Sequence, residues 1–252
     1  MEFMITILAN YTKKEYKQIR GQAIECITIM SASQEKEQFA PFQDRVIEQM
    51  LAIQKNDINS DTEDPQKNYL LSGWQRILII IGDDFAKYID HIFPSLLAII
   101  KRIIKEETTE ANPLVGGEGD DDKLDAGNTY QDDEAEIAVE MLIVFLNTLE
   151  DKLCHWFQEI WLSIEPILNT WNASVKISAC KALPILVRLL KKSKLSGDLP
   201  AFSRQIIARL WKGMDEENDS EVLIEQGRAL QKVLEESGPI MAFEELEGFY
   251  KK

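Results

Sequence analysis

The side chains able to do chemistry in this sequence are few, and their spacing argues against most catalytic uses. Cys154 stands next to His155, the one place where a thiol and an imidazole adjoin. Side chains at i and i+1 diverge on a helix, so the pair cannot share a proton as a nucleophile and its base must. With two histidines, no nucleophile beside a placed base and no metal-ligand spacing, the sequence predicts no catalytic residues, no cofactor and no metal. The remaining concentration of chemical groups is acidic. Residues 106–136 hold twelve Asp and Glu against one Lys, Lys123, and so carry about −11 of the formal −15. From Asp120 onward the stretch lacks the alternating ligands, central glycine and closing Glu of a calcium loop. Gly116, Gly117 and Gly119 suggest a phosphate cradle, but no P-loop Lys and Ser/Thr follow. What the stretch offers is a negative field, from Asp120, Asp121, Asp122, Asp125 and Asp132 within it and Asp133, Glu134 and Glu136 at its exit. That field suits basic protein surfaces.

Pro113, four glycines and the lack of an apolar pattern leave too little surface to offset the entropy of ordering. Residues 106–133 are therefore predicted to be a disordered acidic insertion. The acidic balance argues against direct nucleic-acid binding, because phosphate contacts need clustered Lys and Arg. No run of eighteen apolar residues exists, and the opening MEFMITILANYTKKEY lacks the features of a signal peptide. A soluble, intracellular chain with no membrane partner is expected. Cys26, Cys154 and Cys180 are odd in number and sit in apolar helical patterns, which predicts buried free thiols in a reducing compartment.

The elements that position these groups are helices. Apolar residues recur at three and four throughout, predicting an all-α protein. Helices are expected at 2–9, 13–31, 41–55, 64–81, 83–105, 133–149, 154–170, 174–192, 201–214 and 220–236. Pro41 is expected to open the third, Asp64 with Pro65 the fourth, and Gly82 to close it; Pro94 and Pro166 should kink or divide their helices. First-type and second-type helices alternate. The second-type helices share a register: from Ile19, Gln66, Glu134, Val175 and Val222, small or apolar residues follow mostly four, seven, eight and eleven places later. The first three such sets are Ala23, Cys26, Ile27 and Met30; Leu70, Gly73, Trp74 and Ile77; and Ala138, Met141, Leu142 and Phe145.

The leading positions are 47, 68, 41 and 47 residues apart, and the 68 contains the insertion. Helix pairs at this period are the signature of a HEAT-repeat α-solenoid, in which only stacked neighbours can cover each apolar face. The expectation is one solenoid segment over 1–252. Its repeats fall at about 1–33, 35–82, 83–150 with the insertion, 151–193 and 198–238, before a partial final helix at 240–252. Three glycosylation sequons, at Asn10, Asn172 and Asn218, fall where a first-type helix hands over to a second-type one, which predicts capping and not sugar.

The segments IRGQAIECI, DPQKNYLLSGWQRI, IGDDFAKYI, VKISACKALPIL and DSEVL resemble the middle of a karyopherin-beta (importin beta) nuclear transport receptor of the importin beta-3 class. The resemblance implies a central fragment of a longer right-handed superhelix that works as a monomer and shuttles between cytoplasm and nucleus. It implies carriage of basic cargo bearing nuclear localisation signals, and release by Ran-GTP through at most a secondary contact here. It also implies passage by way of Phe-Gly proteins of the nuclear pore, in an outer-face slot that the sequence does not locate. In such a receptor the unburied side of the second-type helices lines the concave surface. Offsets of two, six and nine place Glu25, Asn68, Ser72, Gln75, Glu136 and Glu140 there, and the later repeats place Lys181 and Arg228 at comparable points. Trp74 is in core register, and Lys191, Lys192 and Lys194 suit a helix C-terminus. The alternative reading is a HEAT scaffold that assembles a phosphatase or coat complex without Ran.

Overall fold

A computed structural model of the chain describes residues 1–57, 64–110, 121–170, 172–193 and 196–239. Among these the regular elements are α-helices joined by short 3-10 turns. They are α1 (Glu2–Asn10), α2 (Lys17–Ala32), α3 (Lys36–Asp57), α4 (Gln66–Ile81), α5 (Ile89–Glu110), α6 (Asp121–Leu149), α7 (Phe157–Ile164), α8 (Ala173–Lys192), α9 (Leu199–Glu216) and α10 (Ser220–Ser237).

The helix ends follow local chemistry. Asp64 accepts the Gln66 N–H at 2.9 Å ahead of α4, and Asn172 accepts the Val175 N–H at 3.1 Å to open α8. Asp219, and not the sequon Asn218, caps α10 by accepting the N–H groups of Glu221 and Val222. Gly82 and Gly238 close α4 and α10 at φ of +58° and +71°, a region that favours a residue without Cβ.

Pro41 and Pro94 depart from expectation, and Pro166 follows it. Pro41 lies inside α3, which starts five residues earlier at Lys36. Its missing N–H loses one bond near the helix start, while fully buried Phe39 anchors the turn before it. Pro94 does not divide α5. Pro166 does end α7, falling at the start of a 3-10 turn over Glu165–Asn169. The helix expected from about 133 begins at Asp121, so the exit of the acidic insertion is helical in its backbone. Residues 111–120 lie outside the described residues.

The described structure separates into two compact units. The first comprises Met1–Leu96 and Thr129–Thr148. Within it α2 packs on α4 and α1 on α3, so second-type helices meet second-type and first-type meet first-type. Its centre is aromatic. Trp74 is 1% exposed and edge-on to Phe85, which meets Phe145 at 5.4 Å between ring centroids; Phe93 meets Phe145 at 5.5 Å. Trp74 Nε1 donates to Gln54 Oε1 at 2.7 Å, and Gln54 Nε2 donates to the His91 carbonyl, so the buried amide is satisfied on both sides.

The second unit comprises Leu97–Asn128 and Leu149–Lys252. Here α8 packs on α10, while Phe157 and Trp161 of α7 meet Phe202 of α9 edge-on at 5.0 and 4.9 Å. Lys176 of α8 pairs with Glu217 just before α10, and Ser237 donates to Ser203 at 2.8 Å.

The shared register holds in four second-type helices. The first slips by one residue: Ile19 is 44% exposed and Cys26 and Met30 are half-buried, and although Ala23 of the expected set is buried with Lys17 and Gly21, the regularly spaced buried positions are Arg20, Ile24, Ile27, Thr28 and Ser31. These keep the spacing of four, seven, eight and eleven from Arg20 instead of Ile19. Small residues let α2 approach α4 closely, and the Arg20 stem buries as an apolar group would.

Candidate protein-binding face

On the first unit the candidate face is the unburied side of α2, α4 and α6. With α2 in its observed register, Gln22, Cys26 and Ile29 take the places expected for the first repeat, and Glu25 sits one position aside, half-buried. Asn68, Ser72 and Gln75 of α4 are each half-buried. Glu136 is half-buried and Glu140 exposed on α6. Glu136 and Glu140 are four residues apart on one helix face, and their carboxylates make no hydrogen bond or ion pair among the described residues. Like charges so spaced repel. Arg76 of α4 is fixed beside α2 by donating to Thr28 Oγ1 at 3.2 Å. Two large apolar side chains join this face, Ile29 at 46% and Ile79 at 62% exposure. Neither falls at an offset of two, six or nine from Ile19 or Gln66, so the repeat register in the sequence does not point to them. The chemistry on offer is hydrogen bonding by amides, acceptance by carboxylates and two apolar contacts, a set suited to a peptide chain.

One expected site residue does not belong to this face. Glu134 is 7% exposed and serves as the first buried position of its helix, so its carboxylate is not open to a partner. The side chains of Asp121, Asp122, Asp125, Asp132 and Asp133, and Asp120 altogether, lie outside the described residues.

Beneath the face a polar layer ties α2 to α4. Lys17 Nζ lies 2.6 Å from Asp64 Oδ2, and Gln66 Nε2 also donates to Asp64. Burial pushes the Asp64 carboxyl up, but the Lys17 ammonium and the Gln66 donors outweigh it and hold the group below the usual carboxylate range. The capping pattern marked Asp64 in the sequence. Nothing there marked Lys17 as its partner, because the two are brought together only by stacking of repeats.

Of the three cysteines only Cys180 is fully buried; Cys26 and Cys154 are half-buried, since each helix leaves its flank open. All three are free thiols. Burial and then Asp151 push the Cys154 thiol up, and it donates to the Leu189 carbonyl, so its thiolate is disfavoured and it makes a poor nucleophile. Lys192 pairs with Glu150 and Lys191 donates to the Glu236 carbonyl at 3.0 Å, both structural roles; Lys194 lies outside the described residues. Trp171 is also outside them. An open cavity of about 320 Å³ lies between α3 and α5, lined by Leu51, Gln54, Lys55, His91 and Ser95, without a Phe, Tyr or Trp.

No family model matches the chain. Among curated proteins it is 26% identical over 193 residues to a probable importin-5 homolog of Dictyostelium discoideum, covering 76% of this chain and 17% of that protein. It is 27% identical over 203 residues to importin subunit beta-3 of Saccharomyces cerevisiae, covering 74% of this chain and 18% of that one. The chain thus spans less than a fifth of the length of these relatives. Among solved structures, Kap121p superposes on all of this chain with a TM-score of 0.74 at 20% identity, over 24% of its own length. The same protein bound to Nup53p gives 0.77 at 20% identity, and bound to Pho4p 0.75 at 21%, with the same coverage. The fold is therefore the HEAT-repeat α-solenoid of a karyopherin. In sequence and in fold the chain resembles a segment of a karyopherin-beta receptor of the importin beta-3 class.

Proposed function

We propose that this chain is a non-enzymatic segment of a nuclear import receptor, binding basic cargo proteins through the exposed side of α2, α4 and α6. The observation that carries the reading is similarity to two importins over three quarters of the chain, joined to a karyopherin fold match over all of it. Glu136 and Glu140 supply the local reason. Two carboxylates that repel each other and lack partners among the described residues gain most from a lysine or arginine brought by another molecule. Asn68, Ser72, Gln75 and Glu25 would then hold the peptide backbone beside them. Ran-GTP makes a secondary contact, Phe-Gly pore proteins meet the first-type helices, and the receptor shuttles between cytoplasm and nucleus.

A fluorescence anisotropy titration of a labelled Lys-rich import peptide tests this. Reversing Glu136 and Glu140 to Lys should weaken binding at least roughly tenfold, the effect of losing one charge-assisted contact. Unchanged affinity would remove both residues from the site. Addition of Ran loaded with a GTP analogue should lower peptide binding where Ran-GDP does not.

A further inference from the structure

The second unit carries a face of opposite sign. Helix α8 contains five Lys and Arg and no Asp or Glu. Four of these cations are engaged: Lys176 with Glu217, Arg188 with Glu236 at 3.7 Å, Lys191 with the Glu236 carbonyl and Lys192 with Glu150. Lys181 is exposed and has no partner among the described residues. On α10, Arg228 stands at the same register position as Lys181, with its side chain 65% exposed and one 3.3 Å hydrogen bond to the inward-turned Glu225.

Each of these cations lies four residues after an isoleucine, so the pairs Ile177 with Lys181 and Ile224 with Arg228 each share a helix face. Ile224 is 54% exposed and Ile177 half-buried. Because α8 packs on α10, the two pairs form an apolar row beside a cationic row. Glu221, the nearest exposed carboxylate on α10, belongs to the first helical turn, where it complements the helix N-terminus.

We infer that this face docks an acidic peptide segment carrying an aliphatic or aromatic residue, held by Ile177 and Ile224 while its carboxylates reach Lys181 and Arg228. Charge complementarity identifies the occupant, and the apolar row favours a peptide over a nucleic acid. The site belongs to the second unit and takes ligands of the charge opposite to those proposed for Glu136 and Glu140.

Anisotropy with a labelled peptide of alternating Glu and Leu, titrated with the full chain, decides the matter. Saturable, salt-sensitive binding is expected. Lys181→Glu and Arg228→Glu should each weaken it roughly tenfold, and Ile224→Asp should do likewise, with thermal melts unchanged for Lys181→Glu and Ile224→Asp, whose side chains are exposed and outside any ion pair among the described residues. A Glu-and-Ser peptide of equal charge should bind much more weakly. The inference is overturned if the wild-type chain does not bind, if both charge reversals bind as the wild type does, or if the Ser peptide or a single-stranded RNA binds equally well.

Discussion

Lys17 and Asp64 form an ion pair across two successive repeats, with Nζ 2.6 Å from Oδ2 and side chains 10% and 1% exposed. Asp64 also accepts the Gln66 N–H at the start of α4. One carboxylate therefore opens a helix and joins it to its neighbour in the stack.

Removing one partner of such a pair leaves an uncompensated buried charge. Lys17→Met should destabilise the chain by about 3–5 kcal/mol, read as a lower midpoint in urea denaturation. Adding Asp64→Asn should restore part of that loss, since the neutral amide still caps Gln66. A single variant as stable as the wild type would show that the pair contributes nothing.

The same carboxylate sets a pH dependence. Its folded pKa lies below the ordinary value of about 3.9, so its contribution is present above that value and is lost as pH falls through the lower folded one. Glu217 behaves alike, held low by Lys176 and by the Asp219 and Asn218 N–H groups. Melting temperature should therefore fall as the pH is lowered below about 4, and fall less steeply in Asp64→Asn. Parallel curves for the two proteins would contradict the assignment.

Two glycines should respond in opposite directions to alanine. A Cβ on Gly21 would stand 2.3 Å from Tyr69 Cδ2, whose hydroxyl also accepts from Gln18. Gly21→Ala should cost about 1–3 kcal/mol by forcing α2 and α4 apart. A Cβ on Gly227 meets nothing within 4 Å in the middle of α10, so Gly227→Ala should stabilise by about 0.5–1 kcal/mol. Thermal melts of the two variants are the measurement.

Burial, with Glu225 nearby, pushes the Cys180 thiol up to about 12. At pH 8 Cys180 should resist alkylation in the native chain and react only in denaturant, while half-buried Cys26 labels in the folded state. Mass spectrometry of peptides after timed iodoacetamide treatment distinguishes the three sites. Early labelling of Cys180 would mean that α8 opens readily.

The helical class, the alternation of helix types and the HEAT period were legible in the sequence because each rests on local spacing. Asp64, Asn172 and Gly82 announced helix ends by chemistry that involves only their near neighbours. The register of α2 is not legible in the sequence, because Ile19 has the chemistry of a core residue while Arg20, Thr28 and Ser31 do not. Whether such a residue is buried depends on how closely the next helix approaches, and Gly21 against Tyr69 settles that distance. The Lys17–Asp64 pair, the burial of Glu134 and the exposure of Ile29, Ile79 and Ile224 were likewise decided only in three dimensions. Periodicity follows from the geometry of one helix and survives in the sequence. The partner of a buried charge, and the side of a helix left open, depend on contacts between residues far apart in the chain, which only the stacked repeats bring together.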